Sequence, residues 1–332
     1  MKLIFMGTPE IAVPALERLI ADGHKIVAVF TQPDRPSGRG SKLTPPPVKT
    51  AAQRHSLSIY QPIKIKTEEI RQLFESFQAD VGVVVAYGRI LPPYLLSAPR
   101  YGCINVHFSL LPKYRGAAPV NWAIANGETV TGVTTMQMDE GLDTGDILLQ
   151  RSIEIGPDET APELAERLAS LGAEVISETV SKLSRAELAP IKQDDSQATL
   201  APMLKREDGL IQWTMTAQQI SNRVRGFQPW PGVWTIFNGA RLIIWRAHPV
   251  GAASISLDGA PSSQAAPGRV VELQKDKIIV ACGQGTRLSL EELQLEGKRR
   301  LPARDFLNGV RLKPGERLGP QEDAREASGQ RL

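Results

Sequence analysis

The hydrophobic positions of the first 110 residues follow two periods that alternate along the chain. Lys2–Met6, Lys25–Phe30 and Val81–Ala86 are short runs of apolar and β-branched residues, which are typical of buried strands. Between residues 11 and 20 the apolar positions recur at helical spacing, which predicts a helix with Thr8 as its N-cap and Gly23 at its end. Strands that alternate with helices predict an α/β domain with a Rossmann-like, doubly wound, mostly parallel sheet.

The same two patterns extend this first domain to residue 189. Further elements are predicted as helices at Val48–His55 and Glu68–Phe77, strands at Ser58–Tyr60, Cys103–His107 and Gly132–Met138, and a long helix from the capping box Thr160–Glu163 to Leu183. Only Gly7 follows the first strand, where a dinucleotide-binding fold carries Gly-x-Gly-x-x-Gly. This argues against a nicotinamide or flavin dinucleotide cofactor.

The pattern changes after the long helix. Residues 190–205 include Pro190 and Pro202 and follow no strong period, so they are predicted to form a linker. Residues 206–313 contain short strands separated by turn residues, which suggests a smaller OB-like β-barrel domain. These strands are predicted at Val233–Phe237, Arg241–Arg246, Gly268–Leu273, Lys277–Cys282 and Arg287–Leu295. Residues 314–332 are polar and are predicted to be a disordered tail.

Composition narrows the class of protein. The 332 residues suit two domains, and no apolar run is long enough to cross a membrane. The cysteines, Cys103 and Cys282, lie far apart in the sequence, which fits a reducing cytoplasm. Cys103 lies inside a strand with no evident base, so it is expected to be a buried thiol and not a nucleophile. The four histidines are scattered, and no metal is expected. The net charge is +3, with the basic excess in the second half, which hints at a polyanionic partner.

A carboxamide and an imidazole stand two residues apart near the end of the strand Cys103–His107. Side chains two apart in a strand point to the same face, so Asn105 and His107 project together at the carboxyl end, where ligands bind in open α/β sheets. Such a pair suits a carbonyl oxygen that gains negative charge. The alternative is an Asn and a His that only cap a turn.

A second candidate segment follows the strand Gly132–Met138. It is rich in carboxylates and glycines, and its aspartates are Asp139, Asp143 and Asp146. An Asp before Thr-Gly is common in turns, so each of the three could be structural. The residues alone do not choose among them.

Together these segments resemble the folate-dependent formyltransferases. The matching motifs are Asn-x-His-x-Ser-Leu-Leu-Pro at 105–112 and Gly-Leu-Asp-Thr-Gly at 141–145, in that order. The resemblance implies formyl transfer from 10-formyltetrahydrofolate to an amine, without a metal. It assigns Asn105 as an oxyanion donor, His107 as a second donor, and Asp143 as the group that orients or charges His107 and relays a proton through water. Through residues 223–232 it also implies the OB-like second domain.

The resemblance places the folate beside two loops. Ser109, Leu110, Leu111 and Pro112 would line an apolar slot for a flat ring system, although a plain loop with buried leucines explains each of them equally well. The pterin ring would lie near Tyr87 and Gly88, with backbone contacts expected more than side-chain contacts. Phe108 departs from the family pattern, which has a small residue or proline there; its ring could crowd the formyl pocket or pack away from it.

The loop 33–49 bears on the acceptor. It is basic, rich in proline and glycine, and too long for an ordinary connection between a strand and a helix. In the branch of the family that formylates initiator Met-tRNA, a loop of this type enters the acceptor end. The resemblance therefore implies an enzyme acting on that tRNA, with Arg39 as the first contact and Lys42 as the second. The protein is expected to be a monomer. A flexible solvated loop is the alternative reading of this segment.

Three other functions remain open at this stage. The first is formylation of a small amine such as a sugar nucleotide or a glycinamide ribonucleotide, which would need neither the basic loop nor the basic barrel. The second is hydrolysis of the formyl donor. The third is a non-enzymatic RNA-binding protein, which has no reason to carry Asn105, His107 and Asp143 together.

Overall fold

The chain divides into two units, and the structure, a computed structural model, describes residues 1–37, 42–251 and 265–319. The first unit comprises residues 1–120, 129–157 and 162–203. The second comprises residues 121–128, 158–161 and the described part of 204–332. The predicted boundary at residue 189 therefore differs from the observed division, because residues 190–203 belong to the first unit. In addition, residues 121–128 and 158–161 of the predicted first domain belong to the second unit.

The elements follow one another through residue 184 as strands and helices. The strands are β1 (Lys2–Gly7), β2 (Lys25–Phe30), β3 (Arg35–Ser37), β4 (Lys42–Thr44), β5 (Ile59–Tyr60), β6 (Val81–Val85), β7 (Cys103–His107), β8 (Val130–Gln137) and β9 (Ile147–Glu154). The helices are α1 (Val13–Ala21), α2 (Pro47–Arg54), α3 (Glu68–Ser76), α4 (Pro93–Leu96), α5 (Pro119–Ala125) and α6 (Ala161–Ser184).

Seven strands form one sheet in the order β5-β2-β1-β6-β7-β8-β9. The four pairings from β5 to β7 are parallel. The pairings of β8 with β7 and with β9 are antiparallel. The prediction of a mostly parallel, Rossmann-like sheet is confirmed, and β7 lies at the junction between its parallel and antiparallel parts.

Strand β7 packs one of its faces against α6. Val106 and Phe108 are buried there, and Phe108 is only 6% exposed. Gly172 of α6 leaves the room that this ring needs, because a Cβ at residue 172 would lie 3.2 Å from both Phe108 Cε1 and Val106 Cγ1. Phe108 therefore packs away from Asn105 and His107, which occupy the other face of the strand.

The first helix begins later than the capping pattern predicts. Pro9 is extended (φ −80°, ψ 174°), a single 3₁₀ turn covers Glu10–Ala12, and α1 starts at Val13. Thr8 is not an N-cap: its hydroxyl donates to the carbonyl oxygen of Tyr87 at 3.0 Å. A contact with a residue 79 positions away has replaced the local cap.

The second unit contains a six-stranded antiparallel sheet. Its elements are α7 (Ala217–Gly226), β10 (Val233–Phe237), β11 (Ala240–Val250), β12 (Val270–Leu273), β13 (Ile278–Ala281), β14 (Arg287–Leu295), β15 (Leu301–Pro302) and α8 (Ala303–Gly309). The strand order is β10-β11-β14-β13-β12, with β15 beside β14. The predicted strands of the OB-like domain are all present.

Residues 314–319 correct the prediction of a disordered tail that starts at residue 314. Within this segment, Gly315 N donates to Val270 O and Leu318 N donates to Gly268 O, while Gly319 N donates to Ile236 O. Strands β12 and β10 are the two edges of the sheet, and the segment forms hydrogen bonds at both of them. It thus connects the two edges, as in a barrel. The rest of the predicted tail, residues 320–332, lies outside the described residues.

Residues 190–203 are not a free linker either. They belong to the first unit, where Ile191 pairs with Ile147 and Leu200 bridges Arg115. Backbone hydrogen bonds make these contacts, so no side-chain period marks them in the sequence. Among the described residues, no helix combines the length and hydropathy needed to cross a membrane, and no three His, Cys, Asp or Glu side chains are grouped to hold a metal ion.

Candidate active site

Asn105 and His107 share the face of β7 that does not contact α6. Asn105 is half-buried, and its carboxamide makes no hydrogen bond to any described residue. Two amide N–H donors are therefore available at the middle of the sheet. A donor already fixed by the strand and not engaged elsewhere can act on a developing oxyanion without first breaking another contact.

His107 is buried, with 5% of its surface exposed, and both of its ring nitrogens face acceptors. Nε2 lies 2.9 Å from the carbonyl oxygen of Tyr114. Because a carbonyl can only accept, this contact assigns the proton to Nε2. Nδ1 lies 3.7 Å from Asp143 Oδ2, which is longer than a hydrogen bond but within the range of a charge interaction.

The structure separates the three candidate aspartates. Asp139 is exposed and stabilises a turn, since it accepts from the Thr144 hydroxyl at 2.8 Å and from Gly141 N at 3.0 Å. Asp146 is exposed. Asp143 alone is half-buried beside His107, and its Oδ2 also accepts from Gly116 N at 2.8 Å.

The loop that carries Asp143 folds back over the sheet. It leaves β8 at Gln137, which pairs with Ile104 near the amino end of β7, three residues before His107. The fold-back requires a glycine at 145, because a Cβ there would lie 1.7 Å from the carbonyl oxygen of Gln137. Asp143 itself has φ 55°, a left-handed conformation that Asp tolerates better than most residues.

Sequence reasoning missed the residues that hold this loop. Gln193 donates from Nε2 to the carbonyl oxygens of Asp143 (2.9 Å) and Gly145 (2.7 Å). Thr199 accepts from Tyr114 N at 2.9 Å through its hydroxyl. Both residues lie in the predicted linker, and the loop groups that they bond here are backbone groups at least 48 positions away, so no motif or spacing could have indicated them.

The predicted folate segment 109–112 divides into buried and half-buried residues. Ser109 is fully buried and its hydroxyl donates to Lys113 O at 2.6 Å, so it closes the loop and does not face a slot. Leu111 is also buried, and its N–H donates to the Thr134 hydroxyl. Leu110 and Pro112 are half-buried. Leu110 and Pro112 therefore offer more accessible side-chain surface than Ser109 and Leu111, and a folate contact at all four residues stays a prediction.

The predicted pterin loop presents backbone. The Tyr87 side chain is 1% exposed and belongs to the core of the first unit, where burial raises the pKa of its phenol to about 12. Its carbonyl oxygen accepts from Thr8 and from Gln32 Nε2. Gly88 is exposed with φ 78°. A ligand at this loop would meet backbone at Gly88 and not the Tyr87 phenol.

The predicted tRNA loop is partly described. Arg39 lies outside the described residues; Lys42 begins β4, and its side chain also lies outside them. At the base of the loop, Lys49 Nζ bonds both oxygens of Asp34 at 2.8 Å, and Gln61 Nε2 bonds Asp34 Oδ1. Hydrogen bonds from Gln61 and then Lys49 lower the pKa of the Asp34 carboxyl. The Asp34 carboxylate therefore balances the positive charge of Lys49 at the base of the loop.

A groove of about 830 Å³ lies away from these residues, between α1 and the start of α6. Its lining includes Glu10, Glu17 and Glu166, and it contains none of the predicted site residues. It offers no oxyanion donor from the Asn105 face, so size alone does not identify the reactive site.

Comparison with known families places both units. The sequence model described as formyl transferase matches residues 1–180, and the model of the formyl transferase C-terminal domain matches residues 203–311. The chain is 53% identical over 319 residues to methionyl-tRNA formyltransferase from Geobacter metallireducens, covering 96% of this chain and 99% of the relative. It is 51% identical over 322 residues to methionyl-tRNA formyltransferase from Citrifermentans bemidjiense, covering 97% and 98%.

Solved structures show the same fold at lower identity. An N-formyltransferase from Helicobacter canadensis, in complex with folinic acid and dTDP-3-aminofucose, matches with a TM-score of 0.63 at 19% identity, covering 87% of this chain and 98% of that one. HypX from Aquifex aeolicus, in complex with tetrahydrofolic acid, matches with a TM-score of 0.59 at 15% identity, covering 92% and 47%. These likenesses concern the fold alone.

Proposed function

This chain belongs to the formyl transferase family, and on that premise we propose that it transfers the formyl group of 10-formyltetrahydrofolate to the amino group of methionyl-tRNA. The similarity to methionyl-tRNA formyltransferases spans both units. The observation that carries the chemistry is the convergence of Asn105, His107 and Asp143 on one face of the sheet. These groups serve acyl transfer without a covalent enzyme intermediate.

Asn105 is the oxyanion donor in this mechanism. As the amine attacks the formyl carbon, the formyl oxygen gains negative charge and accepts a hydrogen bond from the carboxamide. The carboxamide has no competing partner among the described residues, so its N–H groups are free for this role. Removal of one such donor costs about 2.7–4 kcal/mol in the barrier.

His107 and Asp143 handle the proton. The Tyr114 carbonyl holds Nε2–H, which leaves Nδ1 facing the carboxylate. A hydroxyl or amine at the open side of the 3.7 Å gap can reach both Nδ1 and Oδ2. The carboxylate stabilises the imidazolium that forms when Nδ1 takes a proton from the attacking amine. The same proton then passes, through water, to the departing folate nitrogen.

The formyl donor lies between the two loops that end β6 and β7. Leu110 and Pro112 offer half-buried apolar surface for a flat ring, and Gly88 offers exposed backbone for hydrogen bonds. Thr8 and Gln32 hold the loop after β6, because their side chains donate hydrogen bonds to the Tyr87 carbonyl oxygen. This loop is therefore preorganised for a ligand.

Transfer of labelled formyl from the donor to charged initiator tRNA tests the proposal. We expect formylmethionyl-tRNA from the unaltered protein and its loss in Asn105→Ala and His107→Ala. An amino-sugar nucleotide and glycinamide ribonucleotide serve as alternative acceptors. Transfer to either of these small amines, with none to tRNA, would overturn the assignment of tRNA as the acceptor. Release of formate in the absence of any acceptor would indicate a hydrolase.

Arg39 and Lys42 are the proposed tRNA contacts. Arg39→Ala should lower kcat/KM for Met-tRNA about tenfold while the KM of the folate donor stays within twofold, because a lost phosphate or base contact is worth about 1–3 kcal/mol. The matched control is Arg71→Ala on α3, whose guanidinium is already paired with Glu75. A parallel rise in the KM of the donor would show instead that the loop is structural.

A further inference from the structure

Gln193 occupies a position that no motif indicated, and we infer that it is a positioning residue that sets the placement of Asp143 against His107. The inference rests on the proposed function, since it concerns the same site. Gln193 is 6% exposed. It lies in the segment 190–203, and its carboxamide is bonded on both sides.

The hydrogen bonds of this carboxamide form a complete set. Its Nε2 donates to Asp143 O and Gly145 O, at 2.9 and 2.7 Å. Its Oε1 accepts from Arg115 Nε and Nη2, at 3.1 and 2.8 Å. An amide has two donors and two lone pairs, so every hydrogen-bonding capacity of the side chain is used. Full use of a buried polar group fixes its orientation.

The two hydrogen bonds that Gln193 Nε2 donates hold the loop at Asp143 and Gly145. Asp143 has φ 55° and is flanked by glycines at 141 and 145, and within the loop Asp139 accepts hydrogen bonds from Gly141 N and the Thr144 hydroxyl. Gln193 bonds the carbonyl oxygens on both sides of Thr144. These two bonds therefore add a constraint from the segment 190–203 to those that the Asp139 turn and Gly116 N place on the loop and its carboxylate.

The two hydrogen bonds that Gln193 Oε1 accepts connect the same side chain to Arg115, the residue after Tyr114, whose carbonyl bonds His107. Arg115 lies between Tyr114, whose carbonyl accepts from His107, and Gly116, whose N–H donates to Asp143. The backbone of Arg115 is bonded in turn to Thr199 O and Ala201 N. Gln193 thus joins the segment that orients the imidazole to the loop that carries the carboxylate, and fixes the gap between Nδ1 and Oδ2.

Two substitutions isolate this role. Gln193→Met keeps the length of the side chain and removes all four hydrogen bonds; Gln193→Glu keeps the acceptor for Arg115 but cannot donate to the loop carbonyls. We expect both to lower kcat about 100-fold, the cost of a displacement near 1 Å, with the KM values for donor and tRNA within about threefold. Gln72→Met, the same change at an exposed position of α3, is the matched control and should leave kcat unchanged.

A double-mutant cycle separates positioning from a general structural effect. If Gln193 acts through Asp143, Gln193→Met should lower kcat less than about twofold in an Asp143→Asn background. An equal loss in both backgrounds, or an unchanged kcat in the single variants, would overturn the inference while leaving the proposed function intact.

Absence of tRNA formylation by the unaltered protein would instead overturn the proposed function. The imidazole NMR signals of His107 need no substrate and still test the positioning in that case. They should move in Gln193→Met and stay in place in Gln72→Met. Unmoved signals in both variants would refute the role of Gln193.

Discussion

The two faces of strand β7 perform different tasks over five residues. The face toward α6 carries Val106, continues at Phe108, and is closed by packing on Gly172. The opposite face carries Asn105, whose carboxamide has no partner among the described residues, and His107, whose partners come from two loops. The alternation of side chains along a strand therefore separates the residues that stabilise the sheet from those available for chemistry.

Phe108 is the residue at which this comparison matters most. The sequence leaves open whether its ring crowds the formyl pocket or packs away from it. The ring instead lies 6% exposed against α6, where the absence of a side chain at 172 accommodates it. A departure from the family motif on one face of the strand is balanced on that face and does not reach the other.

The largest effect should follow loss of the packed face. Phe108→Ala removes a buried ring and should lower the free energy of unfolding by about 3–5 kcal/mol, measured by urea denaturation. Since the proposed catalytic face is the opposite one, kcat at a temperature where the variant is folded should stay within about threefold. Phe108→Leu, which keeps most of the volume, is the control. A collapse of kcat in folded Phe108→Ala would mean that the two faces are coupled.

Changes on the opposite face should have the reverse profile. Asn105→Ala and the isosteric Asn105→Asp both remove the proposed oxyanion donor, and each should lower kcat about 100- to 1000-fold. Their free energies of unfolding should change by less than about 1 kcal/mol, because the carboxamide bonds no described residue. Parallel urea denaturation and single-turnover formyl transfer measure both quantities. Strong destabilisation by either change would give Asn105 a structural role.

Much of the fold follows from side-chain periodicity, and what escapes it shares one physical cause. Strands β2 and β7 match their predicted bounds, because apolar and β-branched residues recur through each strand and turn or polar residues lie outside both ends. The paired segments 190–203 and 314–319 were read as linker and tail because backbone groups make their contacts. Backbone hydrogen bonds leave no period in the sequence.

The site divides in the same way. Asn105 and His107 follow from strand alternation, whereas the choice of Asp143 over Asp139 and Asp146 depended on the family motif. The structure supplies a physical criterion for that choice, since only Asp143 combines partial burial with proximity to the imidazole. Gln193 and the Gly116 N–H act on backbone or through backbone, so neither residue type nor spacing predicts them.

Gly172→Ala should change the free energy of unfolding less than Phe108→Ala does, and the size of the change depends on the Phe108 ring that faces residue 172. The new Cβ would lie 3.2 Å from Phe108 Cε1, and such overpacking costs about 1–3 kcal/mol. Alanine regains up to about 1 kcal/mol of helix propensity, so we expect a net loss of about 1 kcal/mol in urea denaturation. In a Phe108→Leu background the contact with the ring is relieved while that with Val106 Cγ1 remains, so the same change should cost less than in the unaltered protein. Destabilisation of equal size in both backgrounds would show that the ring is not what Gly172 accommodates.

The smallest effect concerns Cys103, which shares the face of Asn105 yet has no part in the chemistry. It is fully buried beside α4, and burial raises the pKa of its thiol to about 12, against about 8.5 in an unfolded chain. Because the folded pKa is the higher one, the stability that this burial contributes is complete below pH 8.5 and is lost as the pH rises toward 12. In a Cys282→Ala background, which removes the other cysteine, iodoacetamide at pH 8 should therefore label Cys103 only after urea unfolding. Labelling of the folded protein at pH 8 would place an accessible thiolate two residues from Asn105. Absence of labelling in the folded protein would confirm that Cys103 is covered, whereas Asn105, two residues further along the same face, is half-buried.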